Sequence, residues 1–368
     1  MRKVLVITPT YNEKENINTL VSKIFELQKK INNWEIHLLV VDSRSPDQTA
    51  FEVKKLQKKY PLLYLLETEK KGLGNAYIQG YQYAFEKINP YLIIQMDADL
   101  SHQPEYILNF LKEIEKGADF VLGSRYIKNG SIPKEWAWYR KLFSFFGNLI
   151  IRIGFANFKI TDWTSGYRAI KSWVIKEIRS ETKKYSGYVF QIATIDQALK
   201  KNARIIESPI KFIDRRHGKS KINFSQYIFQ ILLYIIKNSS FVRFLFVGTL
   251  GFIIDFGLSY ILIEKKHFSI RIATIISTET AIISNFIFNN FWSFSHKKLS
   301  ANDGKFLIGL IKFNLVSIGS ILIQAEGINL LAHLFGKKWW YIYKILIIVF
   351  LIIPYSFILY NKLIWRKK

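Results

Sequence analysis

The sequence predicts an α/β domain with a doubly wound, mainly parallel sheet, followed by an all-α domain that crosses a membrane. Three observations carry this. Up to about residue 125, short apolar runs alternate with segments of helical spacing, the pattern of a parallel sheet covered by helices. One of those runs, Tyr91–Met96, reads as a buried strand and ends abruptly in Asp97-Ala98-Asp99. From Phe244 onward four apolar segments follow, each about long enough to cross a ~30 Å hydrocarbon core as a helix.

Val4–Thr8 is the first strand. A helix over Glu15–Ile31 follows, with Ile17, Leu20, Val21, Ile24 and Leu27 on one side. Glu35–Val41 is the second strand, and Ser45-Pro46-Asp47 opens a helix through Lys59 with Asp47 as its N-cap. Leu62–Leu66, Tyr91–Met96 and Phe120–Leu122 complete the strands, separated by helices over Gly72–Lys87 and Pro104–Lys116. Residues 138–155 form an amphipathic helix in which Arg140, Ser144, Asn148 and Arg152 recur every fourth position, with apolar residues over the rest. Such a helix either lies on a membrane or packs on the sheet. A second interface helix is expected over 222–238. The membrane domain, 239–368, has its spans at Phe244–Ile263, Ile272–Trp292, Phe306–Leu330 and Trp339–Asn361. Asp255, Glu279, Lys312 and Glu326 within them are costly in lipid and are expected to face the bundle interior.

The composition agrees with a membrane enzyme that handles anions. Hydrophobic residues make up 49% of the 368, and the net charge is +25. A basic balance of this size suits anionic lipid or phosphorylated substrates. No nucleic-acid motif is visible, so no nucleic-acid partner is expected. The absence of cysteine excludes disulfides, thiolate chemistry and Cys-ligated zinc. The N-terminus enters a strand directly, without the apolar region of a signal peptide, so the first domain is expected to stay cytoplasmic. Four spans return the C-terminus, Arg366-Lys367-Lys368, to the same side. The membrane helices also offer a surface for oligomerisation.

Chemistry-bearing residues gather at strand ends, where ligands of open α/β sheets bind. Glu13 follows the first strand, Asp42 ends the second, and Asp97 and Asp99 end the fourth. Two carboxylates one residue apart repel unless a cation lies between them, and Mg²⁺ or Mn²⁺ prefers such oxygen ligands and bridges to phosphate. Glu13 and Asp42 suit hydrogen bonds to a ribose or base. Lys70-Lys71-Gly72-Leu73-Gly74 places cations and glycines at a helix N-terminus, an anion-binding arrangement.

In order along the chain stand Pro9-Thr10-Tyr11-Asn12-Glu13, Val40-Val41-Asp42 with Ser45-Pro46-Asp47, and Lys70 with Gly72-Leu73-Gly74. Asp97-Ala98-Asp99-Leu100-Ser101-His102, Gly123-Ser124-Arg125-Tyr126 and Thr164-Ser165-Gly166-Tyr167-Arg168 come next. Gly187-Tyr188 with Phe190-Gln191-Ile192, and Asp214-Arg215 with Gly218, Ser220 and Lys221, close the series. This ordered set, spread over residues 4–221, resembles family 2 glycosyltransferases. The nearest resemblance is to polyprenyl-phosphate sugar synthases of the dolichol-phosphate mannose synthase type. The tail resembles the GtrA-like domain fused to some members.

The resemblance implies a GT-A (Rossmann-like) domain over 1–221 and inverting transfer of a sugar from a nucleotide-sugar to a polyprenyl or dolichyl phosphate. GDP-mannose is the first donor it suggests and UDP-glucose the second. By position Pro9, Tyr11, Glu13 and Asp42 would bind the nucleotide. Asp97, Ala98 and Asp99 would hold metal and diphosphate, with Ser101 a further metal candidate. Arg125, Arg140 and Ser144 would meet the lipid phosphate; Arg215 and Lys221 would neutralise the phosphates. Asp99, Arg125, Arg215 and Lys221 are thus the catalytic candidates. A phosphate monoester, with a second pKa of about 6, needs no general base. The sequence departs from the family pattern at Ser43, Arg44, Gln48, Glu67, Ser101 and Ala193. Two other readings are a processive polysaccharide synthase, disfavoured because no Arg-Trp dipeptide occurs, and a non-catalytic lipid-linked-sugar translocator or scaffold.

Overall fold

The structure, a computed structural model, describes residues 1–214, 224–300 and 304–366. It contains two compact units, Met1–Ile153 with Asn157–Tyr234, and Gly154–Ala156 with Ile235–Lys368.

The first unit is a seven-stranded sheet with helices on its faces. In chain order its strands are β1 (Arg2–Thr10), β2 (Trp34–Asp42), β3 (Leu63–Glu67), β4 (Leu92–Gln95), β5 (Phe120–Ser124), β6 (Arg168–Lys171) and β7 (Ile205–Pro209). Across the sheet they run β3-β2-β1-β4-β6-β5-β7. All neighbours are parallel except at β6, which runs antiparallel to both β4 and β5. The five expected strands are present. The sequence reading did not include β6 and β7, and β6 makes the sheet mixed.

The helices are α1 (Lys14–Glu26), α2 (Thr49–Gln57), α3 (Leu73–Tyr83), α4 (Ile107–Glu115), α5 (Trp138–Gly154), α6 (Ser172–Thr182), α7 (Gly187–Lys200) and α8 (Phe224–Asn238). The apolar side of α1, Ile17, Leu20, Val21 and Ile24, is wholly buried against Val4, Val6, Leu38 and Val40. Asp47 is not the N-cap of α2. That position is Gln48, in the left-handed region at φ 69°. The Asp47 carboxylate instead ties two segments together, accepting from the Lys14 and Thr49 N–H groups and the Thr49 hydroxyl.

Helix α5 turns its polar stripe inward. Asn148 is buried and Ser144 half-buried, while Leu142, Phe145, Phe146, Ile150 and Ile153 are between 41% and 51% exposed. In α8, Phe229, Leu232 and Ile236 are likewise exposed. Its Tyr234 hydroxyl donates to the Asp196 carboxylate of α7 at 2.7 Å, which also takes Lys200 Nζ at 2.7 Å.

Among the described residues the second unit has four helices long and apolar enough to cross a membrane: Ser240–Lys265, Ile272–Ser293, Lys305–Phe335 and Ile342–Ile364. Phe286, Phe294, Phe313, Tyr360 and Trp365 form an aromatic core among them. Asp255 is engaged as expected, accepting from Ser277 and Thr278 of the second span. Glu279, Lys312 and Glu326 are exposed instead, contrary to expectation. Glu279 lies two residues, about 200°, from Ser277, and Ser277, Ala281, Asn289 and Ser293 mark the buried face of that helix. Lys312 reaches back to the Leu363 carbonyl at 3.4 Å.

Candidate active site

Register sets the site. Thr10 on β1 pairs with Asp42 on β2, which pairs with Glu67 on β3, and Ile7 pairs with Gln95 on β4. Parallel strands in this register bring the segments after Thr10, Asp42 and Gln95 to one edge of the sheet. Antiparallel β6 contributes its beginning to that edge, since Arg168 pairs with both Gln95 and Leu122. The loop 161–167 is thereby delivered beside the acid pair.

At the β1–β2 end, Asp42 is fully buried and turned inward. It accepts from the Thr10 hydroxyl at 2.8 Å, the Ser45 N–H at 2.8 Å and the Ser45 hydroxyl at 2.5 Å. It therefore shapes the loop between β2 and α2. The Asn12 N–H donates to Ser45 Oγ at 3.0 Å, so the same loop holds the segment after β1. Glu13 donates its N–H to Thr49 and accepts from Asn16 Nδ2 at 2.8 Å. Pro9 is half-buried opposite Val41. The Lys70 ammonium lies 3.6 Å from the centre of the Tyr11 ring. These residues form a cationic, aromatic surface along which a nucleotide can lie. Three residues here adopt positive φ, namely Asn12 (64°), Arg44 (50°) and Gln48 (69°). At Gln48 this is a conformation that glycine would adopt without the cost a side chain carries.

At the end of β4, Ala98 is buried and anchors the turn, leaving Asp97 40% exposed and Asp99 8%. Asp99 Oδ1 accepts from the Ser101 N–H at 3.0 Å and the Ser101 hydroxyl at 2.6 Å. Leu100 between them has φ 62°, which permits this tight closure. Ser101, being buried, thus serves to orient Asp99. His102 Nδ1 accepts from the Asp97 N–H at 3.1 Å, and its ring stacks on Tyr167 with centroids 4.8 Å apart. Burial holds the His102 pKa below its ordinary value, outweighing Asp97 and Asp99. The imidazole is neutral, so its 3.8 Å approach to Asp97 Oδ2 is not an ion pair. No group of three or more His, Cys, Asp or Glu that could hold a metal occurs among the described residues. Asp97 and Asp99 stand as a pair of hard oxygen donors, which suits Mg²⁺ or Mn²⁺ completed by phosphate oxygens and water.

Beyond the acid pair, Arg125 is mostly buried in a bidentate pair with Asp162, Nε to Oδ2 and Nη2 to Oδ1, both 2.7 Å. Burial would raise the Asp162 pKa, yet the Arg125 charge and hydrogen bonds carry it below its ordinary value. Arg125 Nη2 also donates to Thr164 Oγ1 at 2.8 Å, and Thr164 lies 3.4 Å from Asn148 Nδ2 on α5. Tyr126 donates to the Ser144 hydroxyl at 2.6 Å. Arg140 packs over Trp136, 3.9 Å from the ring centre, and pairs with Asp214 at 3.6 Å. Trp136 and Arg125 both contact Phe212. Arg125, Ser144 and Arg140 thus share one neighbourhood on the α5 side of the edge. Arg215 and Lys221 lie outside the described residues.

Sequence reasoning missed Asp162 and Glu207, and named Arg168 and Gln191 only as motif members without a role. Glu207 accepts from the Thr161 and Asp162 N–H groups and so fixes the loop that carries Asp162. Arg168 is fully buried, its guanidinium donating to the carbonyls of Ser165 (2.7 Å), Gln191 (2.7 Å) and Trp163 (3.3 Å). Burial lowers its pKa to about 10, so it remains cationic at neutral pH. The run Thr161-Asp162-Trp163-Thr164-Ser165-Gly166 was the available signal, polar residues with caps for one another just before a strand.

Comparison with known proteins shows the family of both units. The profile of glycosyl transferase family 2 matches residues 5–179, and that of the GtrA/DPMS transmembrane domain matches residues 243–365. A dolichol-phosphate mannosyltransferase of Pyrococcus furiosus is 30% identical over 329 residues, 88% of each chain. A polyprenol monophosphomannose synthase of Mycolicibacterium smegmatis is 34% identical over 224 residues, covering 60% of this chain and 82% of the relative. Among solved structures, a mannosyltransferase of Pyrobaculum calidifontis in complex with GDP-Man and Mn²⁺ has a TM-score of 0.42 at 16% identity, covering 79% of this chain and 88% of that one. The chain belongs to glycosyl transferase family 2 and is a membrane-integral glycosyltransferase of the dolichol-phosphate mannose synthase type, with a GtrA-like membrane domain.

Proposed function

We propose that the chain transfers mannose from GDP-mannose, with inversion, to a polyprenyl or dolichyl phosphate at the cytoplasmic face of the membrane, using Mg²⁺ or Mn²⁺. UDP-glucose is the second donor. The observation that carries this reading is the joint placement of Asp97 and Asp99 and of Arg125, Ser144 and Arg140 along one sheet edge. One set suits a diphosphate, the other a phosphate monoester. The relatives' names, which specify mannose and polyprenyl phosphates, support the substrate class.

The chemistry needs two anions brought together in line. Tyr11, Glu13 and the loop set by Asp42 line the nucleotide end. Asp97 and Asp99 would hold the divalent ion, which supplies charge neutralisation to the departing diphosphate. Arg125, kept in one orientation by Asp162, and Arg140 with Ser144 would receive the lipid phosphate. Its ionised oxygen attacks the anomeric carbon as the bond to the diphosphate breaks, so no residue needs to remove a proton. Arg215 and Lys221 would add positive charge at the same diphosphate.

The test is product mass after incubating purified protein with polyprenyl phosphate, Mg²⁺ or Mn²⁺, and GDP-mannose or UDP-glucose in turn. A mannosylated lipid phosphate is expected, and Asp99→Asn should lower turnover roughly hundredfold or more. No glycolipid from either donor, or an Asp99→Asn variant with full activity, would overturn the reading.

A further inference from the structure

Gln191 on α7 is the most unusual polar residue of the first unit. It is 2% exposed, and neither its amide nitrogen nor its carbonyl oxygen has a hydrogen-bond partner among the described residues. A buried carboxamide with both ends unsatisfied is a cost that native proteins rarely carry without use. Its backbone is held in place, because the Gln191 carbonyl accepts from the buried Arg168 guanidinium at 2.7 Å.

The space beside it is specific. A Cβ on Gly166 would stand 3.6 Å from Gln191 Nε2, 3.6 Å from His102 Cε1 and 3.7 Å from Asp97 Oδ1. At these ordinary contact distances the glycine leaves room for about one further heavy atom beside the Gln191 amide and Asp97, and Gly166 itself is half-buried. Arg168 secures both walls, since its other donors hold the carbonyls of Trp163 and Ser165. Asp97, proposed for the diphosphate, borders this space, and Thr164, two residues before Gly166, contacts Arg125, proposed for the acceptor. In the proposed reaction the donor's sugar ring lies between diphosphate and acceptor.

We propose that Gln191 and the opening at Gly166 form the subsite for the sugar ring of the donor, with the Gln191 carboxamide hydrogen-bonded to ring hydroxyls. The inference rests on the transfer reading above. A neutral group that both donates and accepts matches vicinal hydroxyls. It does not match a phosphate, which only accepts and would leave the carbonyl oxygen facing an anion. An amide of this kind discriminates sugars by leaving its own buried atoms unpaired against the wrong one.

Gln191→Met and Gly166→Ala test this in the full-length protein. Methionine keeps the volume and removes two unpaired polar atoms; alanine fits without a clash, as all three contacts are at ordinary distance. Affinities for GDP and GDP-mannose, or UDP and UDP-glucose if that is the donor turned over, are measured with Mn²⁺ alongside thermal stability. Each variant is expected to bind the nucleoside diphosphate as wild type does and the sugar nucleotide at least tenfold more weakly. Gln191→Met should melt no lower than wild type. An unchanged ratio of the two affinities overturns the subsite, as does an equal loss of both or a lowered melting temperature for Gln191→Met. Product from neither donor with the wild-type protein overturns the transfer reading instead.

Discussion

Arg125 and Asp162 show how much a single buried pair decides. Two 2.7 Å hydrogen bonds join them, with Asp162 fully buried and Arg125 only about 10% exposed, so the Asp162 charge tolerates the loss of its partner poorly. Asp162→Ala is expected to cost about 3–5 kcal/mol of stability, read by thermal unfolding, with Asp162→Ala/Arg125→Met recovering part of it. A full-stability single variant would contradict the pairing. His102 gives a pH dependence of definite sign. Its folded pKa lies below its ordinary value of 6.5 because of burial, so the unfolded chain binds the proton more readily. The contribution to stability is fully present above pH 6.5 and falls as pH drops below it. A melting series from pH 7.5 downward should show this loss, and His102→Gln should flatten it. Asp42 teaches a different point. As an acid at a strand end it invites a ribose-binding role, yet its oxygens are taken up by Thr10 and Ser45, so it shapes the loop between β2 and α2 from beneath.

At the scale of elements, α5 fixes the side proposed for the acceptor through Asn148. This residue accepts from the Trp163 N–H at 2.8 Å and donates to the Ser144 carbonyl at 3.0 Å, joining α5 to the loop that carries Asp162. Asn148→Leu leaves a buried N–H without its partner and is expected to cost about 1–3 kcal/mol. Steady-state kinetics should show a several-fold higher KM for the lipid acceptor and an unchanged KM for the donor. The spacing of Arg140, Ser144, Asn148 and Arg152 made this helix legible in the sequence, because a four-residue repeat survives any packing. β6 was not legible. Arg168–Lys171 is four residues long, carries a cation at each end and has no alternation, so nothing local separates it from a loop. Its direction is a tertiary fact, and with it went Asp162 and the roles of Arg168 and Gln191, whose partners lie on other elements. Asp97 and Asp99 were legible because an apolar run ending in acids marks a strand end by itself.

At the scale of the molecule, a +25 chain combines an α/β unit with four helices of membrane-spanning length. An even number of spans places the two termini on one side of a bilayer. In sealed vesicles, protease sites added before Arg2 and after Lys368 are expected to be cut together or protected together; opposite accessibility would exclude four crossings. The outward apolar side of α5, with Phe145 and Phe146 about half exposed, bears on how the enzyme meets its acceptor. We propose that α5 seats in the lipid surface, where it samples a sheet of acceptor molecules rather than a volume of them. The encounter is then two-dimensional, and its rate follows the mole fraction of polyprenyl phosphate among the lipids. Adding inert phospholipid at constant total acceptor should slow turnover as dilution slows an ordinary bimolecular reaction.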